Sequence, residues 1–533
     1  MNRAVLIGVD GATFTILEPY AAAGLLPNVA ALMDRGTRAP LRTVMPPLTP
    51  PAWTSLMTGK RPGRHGVFDF FQREAPDTEY FRLSTSQDIQ TPTVWTLASQ
   101  EGRRVISLNF PLMFPAPEVN GSVVPGGWMP WRQLRLGCYP PGLFDRLKAL
   151  PSFDPKELSL DMELEAKAIE GCPDDEYVEW IRLHTRREER WLEILRHLMA
   201  EAPADLVAVM FDGVDKLSHL CWRFIDPACR PVDPSPWERE VIGLCEAYFR
   251  RLDAMVGEIV ELCGDDATVV IASDHGFGPT RDVFYLNRWL EEQGWLAWAP
   301  TGTQAAGPGS YEVGFAAMTR HVAELDWTRT WAYAATPSCQ GVHIVAKEPG
   351  TDRPLPRARY DEVRAALRDA LAQVRNPFTG EPLVLDVVTK EEAFAGPHQD
   401  LAPDLSLVLA DGAAISILRS DDVVRRRERV NGNHRWHGVL VAAGPGIRRG
   451  HRVDEVSICD VTPLLLHALD LPIPDDLDGR VPTELFDPGW LAERPPRHRA
   501  ASDDVVVLGA AVPFEGDEEE LVLGRLRALG YVE

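Results

Sequence analysis

The sequence has no Cys-x-x-Cys pair among its eight cysteines, which stand at 138, 172, 221, 229, 245, 263, 339 and 459. That scatter excludes a disulfide framework and a thiolate zinc site as organising devices, and makes a reducing cytoplasm the expected compartment. No apolar run reaches the about 18 residues needed to cross a bilayer, so no membrane span is expected. The opening MNRAVLIGVDG is too short in apolar residues for a signal peptide. Basic residues are in deficit: 55 Lys+Arg face 78 Asp+Glu, a net charge of −23. Such a field repels nucleic acid polymers and anionic membranes, so neither is an expected partner. An anionic substrate would need a local positive centre, which bound metal ions can supply. Internal repeats and low-complexity segments are absent as well.

What remains is a 533-residue chain with 45% hydrophobic and 25% charged residues, the balance of an ordinary globular protein. The length calls for two domains, or one large core with insertions. Short apolar runs end abruptly in acids or glycine: AVLIGVD (4–10), ADLVAVMFD (204–212), ATVVIASD (267–274) and GVLVAAGPG (438–446). Continuous apolarity predicts strands buried on both faces, as in a mostly parallel sheet with helices on both faces, hence an α/β fold. The stretches 176–202 and 237–264 carry helical periodicity of crossover length. Four segments follow: a catalytic core over 1–285 with an irregular insertion at 113–175, an inserted cap at 286–400 that would set specificity, the core continued over 401–486, and a linker with an amphipathic tail over 487–533. The tail, DEEELVLGRLRALGYVE, offers a surface to the core or to a second copy, which would make a homo-oligomer.

Ligands of open α/β sheets bind beyond the carboxyl ends of the strands, so acids and histidines at those ends are the candidates. They are Asp10, then Asp212, Asp215 and His219 in FDGVDKLSH, then Asp274 and His275 in ASDHGFG, and His434 in NGNHRWHG. Carboxylate and imidazole without thiolate suits zinc, manganese or related divalent ions, and the count suffices for two ions with three protein ligands each. Each position alone has a plainer reading. Asp10 could cap a helix, and Asp215 with His219, four residues apart, could be a surface pair. The consecutive Asp274 and His275 before glycine are harder to explain as core.

Together these residues resemble the type I phosphodiesterase and nucleotide pyrophosphatase family of the alkaline phosphatase superfamily. The resemblance runs from GVDGAT through LPNVAALMDRGTRAPLRTVMPPLTPPAWTSLMTGKRPGRHGVFDF, DGVDKLSH and SDHGF to NGNHRWHGVLVAAGPGI, and on to VSICDVTPLLLHALDLPIPDDLDGR. It implies an alkaline-phosphatase-like core and two divalent ions, zinc or alternatively manganese. One would be held by Asp215, His219 and His434, the other by Asp10, Asp274 and His275. Thr49 would lie between them as nucleophile and metal ligand, flanked by prolines that fix the backbone with little loss of entropy. A helix starting near PPAW would aim N–H groups at the phosphoryl oxygens. His437 competes with His434, and the family pattern favours His434. His65 is expected to support the nucleophile helix, and Asp212 to cap or hydrogen-bond. RRRER (425–429) reads as a solvated charged turn or a substrate contact.

The implied function is hydrolysis of a small-molecule phosphate ester through a phosphothreonine, on a phosphodiester or nucleotide pyrophosphate. The alternatives are a phosphomonoesterase or phosphomutase of the same superfamily, or a metal-binding regulatory protein without turnover. Sulfatase chemistry is excluded, because that pattern needs Cys or Ser with a following Pro and Arg, and here the positions hold Thr49, Pro51 and Trp53. One further departure concerns Ala52, where the resemblance leads one to expect an asparagine donor to the phosphoryl group. Asn109 and Lys216 are the candidate substrate-binding replacements, with a turn residue and a solvated helix charge as their plainer readings.

Overall fold

A computed structural model of the chain describes residues 2–73, 81–126, 131–151, 153–159, 173–299, 322, 324–336, 338, 340–346 and 355–501. The C-terminal amphipathic tail, and with it the homo-oligomer expected through it, lies outside the described residues.

A nine-stranded sheet organises the core, in the order His451–Arg452, Thr37–Arg42, His437–Ala443, Ala267–Ala272, Arg3–Val9, Leu206–Phe211, Val105–Leu108, Gly121–Val124, with Val456–Ser457 also paired to Thr37–Arg42. The five strands from Ala267–Ala272 to Gly121–Val124 run parallel. His437–Ala443 runs antiparallel to both its neighbours, against the expectation for GVLVAAGPG. Continuous apolarity reports burial on two faces and carries no information about direction. Gly121–Val124 falls inside the segment expected to be irregular. Four residues between glycines and prolines give too short a pattern to read as a strand.

Strand alternation sorts the core into two layers. Val5, Ile7 and Val9 pack on one face with the helices Glu176–Glu201, Gly213–Ile225 and Pro236–Cys263. Ala4 and Leu6 face the other way, against the helices Thr49–Thr58, Val94–Gln100 and Val461–Ala468. The two long helices match the periodic stretches 176–202 and 237–264 to within a residue or so at each end. Among the described residues, six cysteines are free and no single helix is long and apolar enough to cross a membrane.

A third apolar cluster joins Leu286 and Leu367, from the helices Leu286–Glu292 and Tyr360–Leu371, to Tyr333, Val342 and Leu405 of a separate four-stranded sheet ordered Ala332–Tyr333, Gly341–Ile344, Leu405–Leu409, Val384–Thr389. The first, second and fourth strands of this sheet fall within the segment 286–400, and the third, Leu405–Leu409, lies beyond it. This smaller layer is tied to the core just after the helix Thr49–Thr58: His398 N–H donates to Gly63 O at 3.0 Å, and Thr336 and Ser338 donate to Asp69. Burial pushes the Asp69 carboxyl up to about 6. Residues 487–501 are not a free linker. Trp490 stacks on Phe486, and His498–Arg499 pairs with Ile473–Pro474.

Candidate active site

Three parallel strands deliver the acids. Asp10 follows Arg3–Val9, Asp274 and His275 follow Ala267–Ala272, and Leu206–Phe211 leads into the helix Gly213–Ile225 with Asp215 and His219 one turn apart. His434 arrives from elsewhere in the chain. The strand Val424–Arg435 pairs antiparallel with Gly276–Tyr285, the strand that begins immediately after His275, and puts His434 opposite Phe277.

The result is two groups of ligand atoms, Asp215, His219, His434 and Asp10, Asp274, His275, each with its atoms within 4.8 Å of one another. Asp215 Oδ1 stands between them, 3.2 Å from His434 Nε2, 3.5 Å from His219 Nε2 and 3.9 Å from His275 Nε2. His275 Nε2 is 3.1 Å from Asp274 Oδ2 and 3.5 Å from Asp10 Oδ1. The His275 and His434 rings stack at 3.7 Å. Thr49 Oγ1 closes the set at 3.4 Å from His275 Nε2. His437, by contrast, is exposed and bonded to Glu455.

The donor set fits divalent cations. His275 Nδ1 lies 3.1 Å from Gly276 O and His434 Nδ1 lies 3.0 Å from Pro47 O. A carbonyl only accepts, so both Nδ1 atoms carry the proton and both Nε2 lone pairs face the cluster, as metal-binding histidines require. Asp10 Oδ1 and Asp274 Oδ2 are buried and accept no hydrogen bond among the described residues. Burial, with Asp274 and Asp215 nearby, raises Asp10 well above the usual carboxylate range, and burial with Asp215 raises Asp274. Burial also acts upward on Asp215, but the His219 and His434 rings hold it well below. Burial keeps His275 and His434 below the usual imidazole range. Three carboxylates so close together are costly alone, whereas two divalent ions would leave the centre one positive charge.

Thr49 is the first residue of the helix Thr49–Thr58, after an extended Leu48, and is 2% exposed. A buried helix start normally leaves orphan N–H groups. Pro50 and Pro51 have none, and Ala52 N–H bonds back to Leu48 O. The several N–H groups expected at PPAW thus reduce, in the first three positions, to that of Thr49. His65 supports this helix as expected. Val67 N–H donates to its Nδ1, so its Nε2–H donates to Ser55 Oγ at 2.9 Å, and burial lowers its pKa to about 3.

Other expectations change. Asp212 stands at the N-cap position of the helix Gly213–Ile225 but makes no side-chain cap bond, so of its two expected roles only capping is withdrawn. The capping carboxylate is Glu188, which accepts from Gly213 N–H at 2.9 Å and Tyr248 Oη–H at 2.5 Å. Burial pushes Glu188 up to about 8. RRRER is no turn, because it lies within Val424–Arg435, where Arg426 pairs with Asp282 and Arg429 with Asp174. Asn109 follows its strand with φ of 65°, and its amide donates to Met210 O. Lys216 is buried on the helix face toward His184, whose pKa burial lowers, with Arg187 and Lys216 adding to the effect. The amide of Asn109 is thus engaged by the neighbouring strand, and Lys216 is buried rather than a solvated helix charge. Sequence reasoning missed Glu188, and also Trp53, whose Nε1–H donates to Asp10 Oδ2 at 3.1 Å. Neither is spaced from its partner by any period, since Glu188 lies 25 positions from Gly213 and Trp53 lies 43 from Asp10.

Fold and family together make the protein a phosphoester hydrolase of the alkaline phosphatase superfamily. The chain belongs to the type I phosphodiesterase / nucleotide pyrophosphatase family, whose model matches residues 4–440. Among solved structures it is similar to human ectonucleotide pyrophosphatase/phosphodiesterase 5, at 14% identity and TM-score 0.52, over 91% of this chain and 100% of that one. The mouse counterpart, solved as an inactive threonine-to-alanine variant in complex with AMP, gives 15% identity and TM-score 0.50 over 88% of this chain and 96% of that one. No curated protein sequence matches it significantly.

Proposed function

We propose that the protein hydrolyses a phosphodiester or nucleotide pyrophosphate through a phosphothreonine at Thr49, with Asp215, His219, His434 and Asp10, Asp274, His275 holding two divalent ions. The observation that carries this reading is the position of Thr49 Oγ1 at a helix start and 3.4 Å from His275 Nε2, which itself stands 3.9 Å from Asp215 Oδ1 of the other group. Bound there, divalent ions supply positive charge for phosphoryl oxygens and lower the pKa of a coordinated hydroxyl. Zinc is the first expectation from the ligand types, and manganese the second.

Thr49 releases its proton to solvent and its oxygen attacks phosphorus as the bond to the leaving oxygen breaks. The leaving group, an alkoxide from a diester or a phosphate from a pyrophosphate, takes up a proton from solvent as its basicity requires. Water then attacks phosphorus from the vacated side, the Thr49 Oγ–P bond breaks, and Thr49 recovers a proton as the second product departs. Two prolines after Thr49 and the His65–Ser55 bond keep the attacking oxygen in place through both displacements.

The diester preference rests on charge. A diester presents one negative oxygen fewer than a monoester dianion. Arg435, adjacent to His434, is turned to Asp411 and to the carbonyls of Pro279, Asn433 and His434 rather than toward substrate. Measuring kcat/KM for an aryl phosphodiester and the corresponding monoester with the same leaving group tests this. The diester is expected to be the better substrate, and a tenfold preference for the monoester overturns the diester assignment while sparing the mechanism.

A further inference from the structure

Trp53 lies one helical turn after Thr49, and both its ring and Asp10 are wholly buried. Indole N–H is a donor only, and here it reaches Asp10 Oδ2 at 3.1 Å. The other carboxylate oxygen, Oδ1, faces His275 Nε2 at 3.5 Å and accepts no hydrogen bond among the described residues. The ring itself has little freedom. Gly8, two residues before Asp10, leaves the space it fills, since a Cβ there would lie 2.7 Å from Trp53 Cη2. Phe110 packs edge-on at 5.4 Å and is braced in turn by Trp95.

We propose that Trp53 is a positioning residue that fixes Asp10 as a one-oxygen ligand and ties that ligand to the helix carrying the nucleophile. The proposal rests on the two-ion reading above. With Oδ2 engaged by the indole, the carboxylate plane is set and Oδ1 alone is presented to the cluster. Thr49 and Trp53 belong to one rigid turn, so the same helix end that places the attacking oxygen also places the ligand. Each would lose register with the other if the indole bond were absent. Outer partners of metal ligands commonly contribute about 10–100-fold in metal affinity. A tryptophan that merely filled the core would contribute through its shape and nothing through its N–H.

The test separates shape from hydrogen bond. Position 53 of the full chain is replaced by 3-benzothienylalanine, which keeps the bicyclic ring and puts sulfur in place of N–H. Trp53→Phe serves as a second variant. Each metal-stripped protein is titrated with zinc by calorimetry, and its thermal midpoint is measured without metal. Wild type is expected to bind two equivalents, and Asp10→Asn identifies which of them belongs to the Asp10 group. In the benzothienyl protein that equivalent is expected to weaken about 10–100-fold, with the other equivalent and the metal-free midpoint unchanged. Wild-type affinity for both equivalents in the benzothienyl protein overturns the positioning role and leaves the two-ion reading standing. Failure of wild type to bind zinc at the Asp10 group overturns both.

Discussion

Thr49 Oγ1 and His275 Nε2 stand 3.4 Å apart although 226 positions separate them in the chain, and both side chains are closed off from solvent. His275 itself bridges the two ligand groups, within 3.9 Å of Asp215 Oδ1 and 3.5 Å of Asp10 Oδ1. The hydroxyl therefore lies against the one imidazole that stands near carboxylates of both groups.

Thr49→Ala is expected to lose turnover by about 10³-fold or more while retaining both metal equivalents, because carboxylates and imidazoles suffice to hold the ions. Thr49→Ser should keep part of the activity. Acid quenching of wild type during turnover, followed by peptide mass spectrometry, should find phosphate on Thr49. Near-normal turnover in Thr49→Ala would send the search to another nucleophile.

Chelation should abolish activity, and zinc or manganese should restore it. Asp215→Asn and Asp274→Asn should each reduce the bound metal, and by different equivalents, since the two residues belong to separate groups. Metal content measured after dialysis checks this. Undiminished activity in metal-free protein would remove the basis for two ions.

His65 gives the metal-free protein an acid-side instability. Its folded pKa is depressed from 6.5 to about 3, by burial first. Below pH 6.5 the unfolded chain takes up a proton that the folded state refuses, so stability present above that pH is lost as pH falls toward about 3. One such proton tilts stability by at most about 1.4 kcal/mol per pH unit. Urea unfolding of metal-free wild type and His65→Gln across this window should show the wild-type slope steeper by up to that amount. Equal slopes would mean that His65 is protonated in the fold.

Gly213 is held by its neighbours rather than by its backbone angle. A Cβ there would lie 2.5 Å from both Glu188 Oε1, which caps the helix bearing Asp215, and Tyr248 Oη, which donates to that carboxylate. Gly213→Ala is expected to destabilise the fold by about 1–3 kcal/mol, as overpacking does, and to weaken metal binding at the Asp215 group. Chemical denaturation and zinc titration read the two effects, and a neutral outcome in both would show the cap to be compliant.

The ligand types were legible in the sequence because strand-terminal acids interrupt apolar runs, and nothing in a core explains Asp274 followed by His275. The buried sheet was legible from its runs, whereas the four-residue spacing of Asp215 and His219 fits one face of a helix without establishing that the helix Gly213–Ile225 is there. The direction of His437–Ala443 was not, since burial on two faces is the same for either direction. Nor were the contacts at a distance. Glu188 precedes Gly213 by 25 positions and Trp53 follows Asp10 by 43, and neither spacing has a period. The sequence by itself determined which donors were available and on which elements. Tertiary structure alone decided which of them meet, because His434 reaches Asp215 through antiparallel pairing with the strand after His275. That pairing closes a loop of well over a hundred residues, and local patterning along the chain carries no record of it.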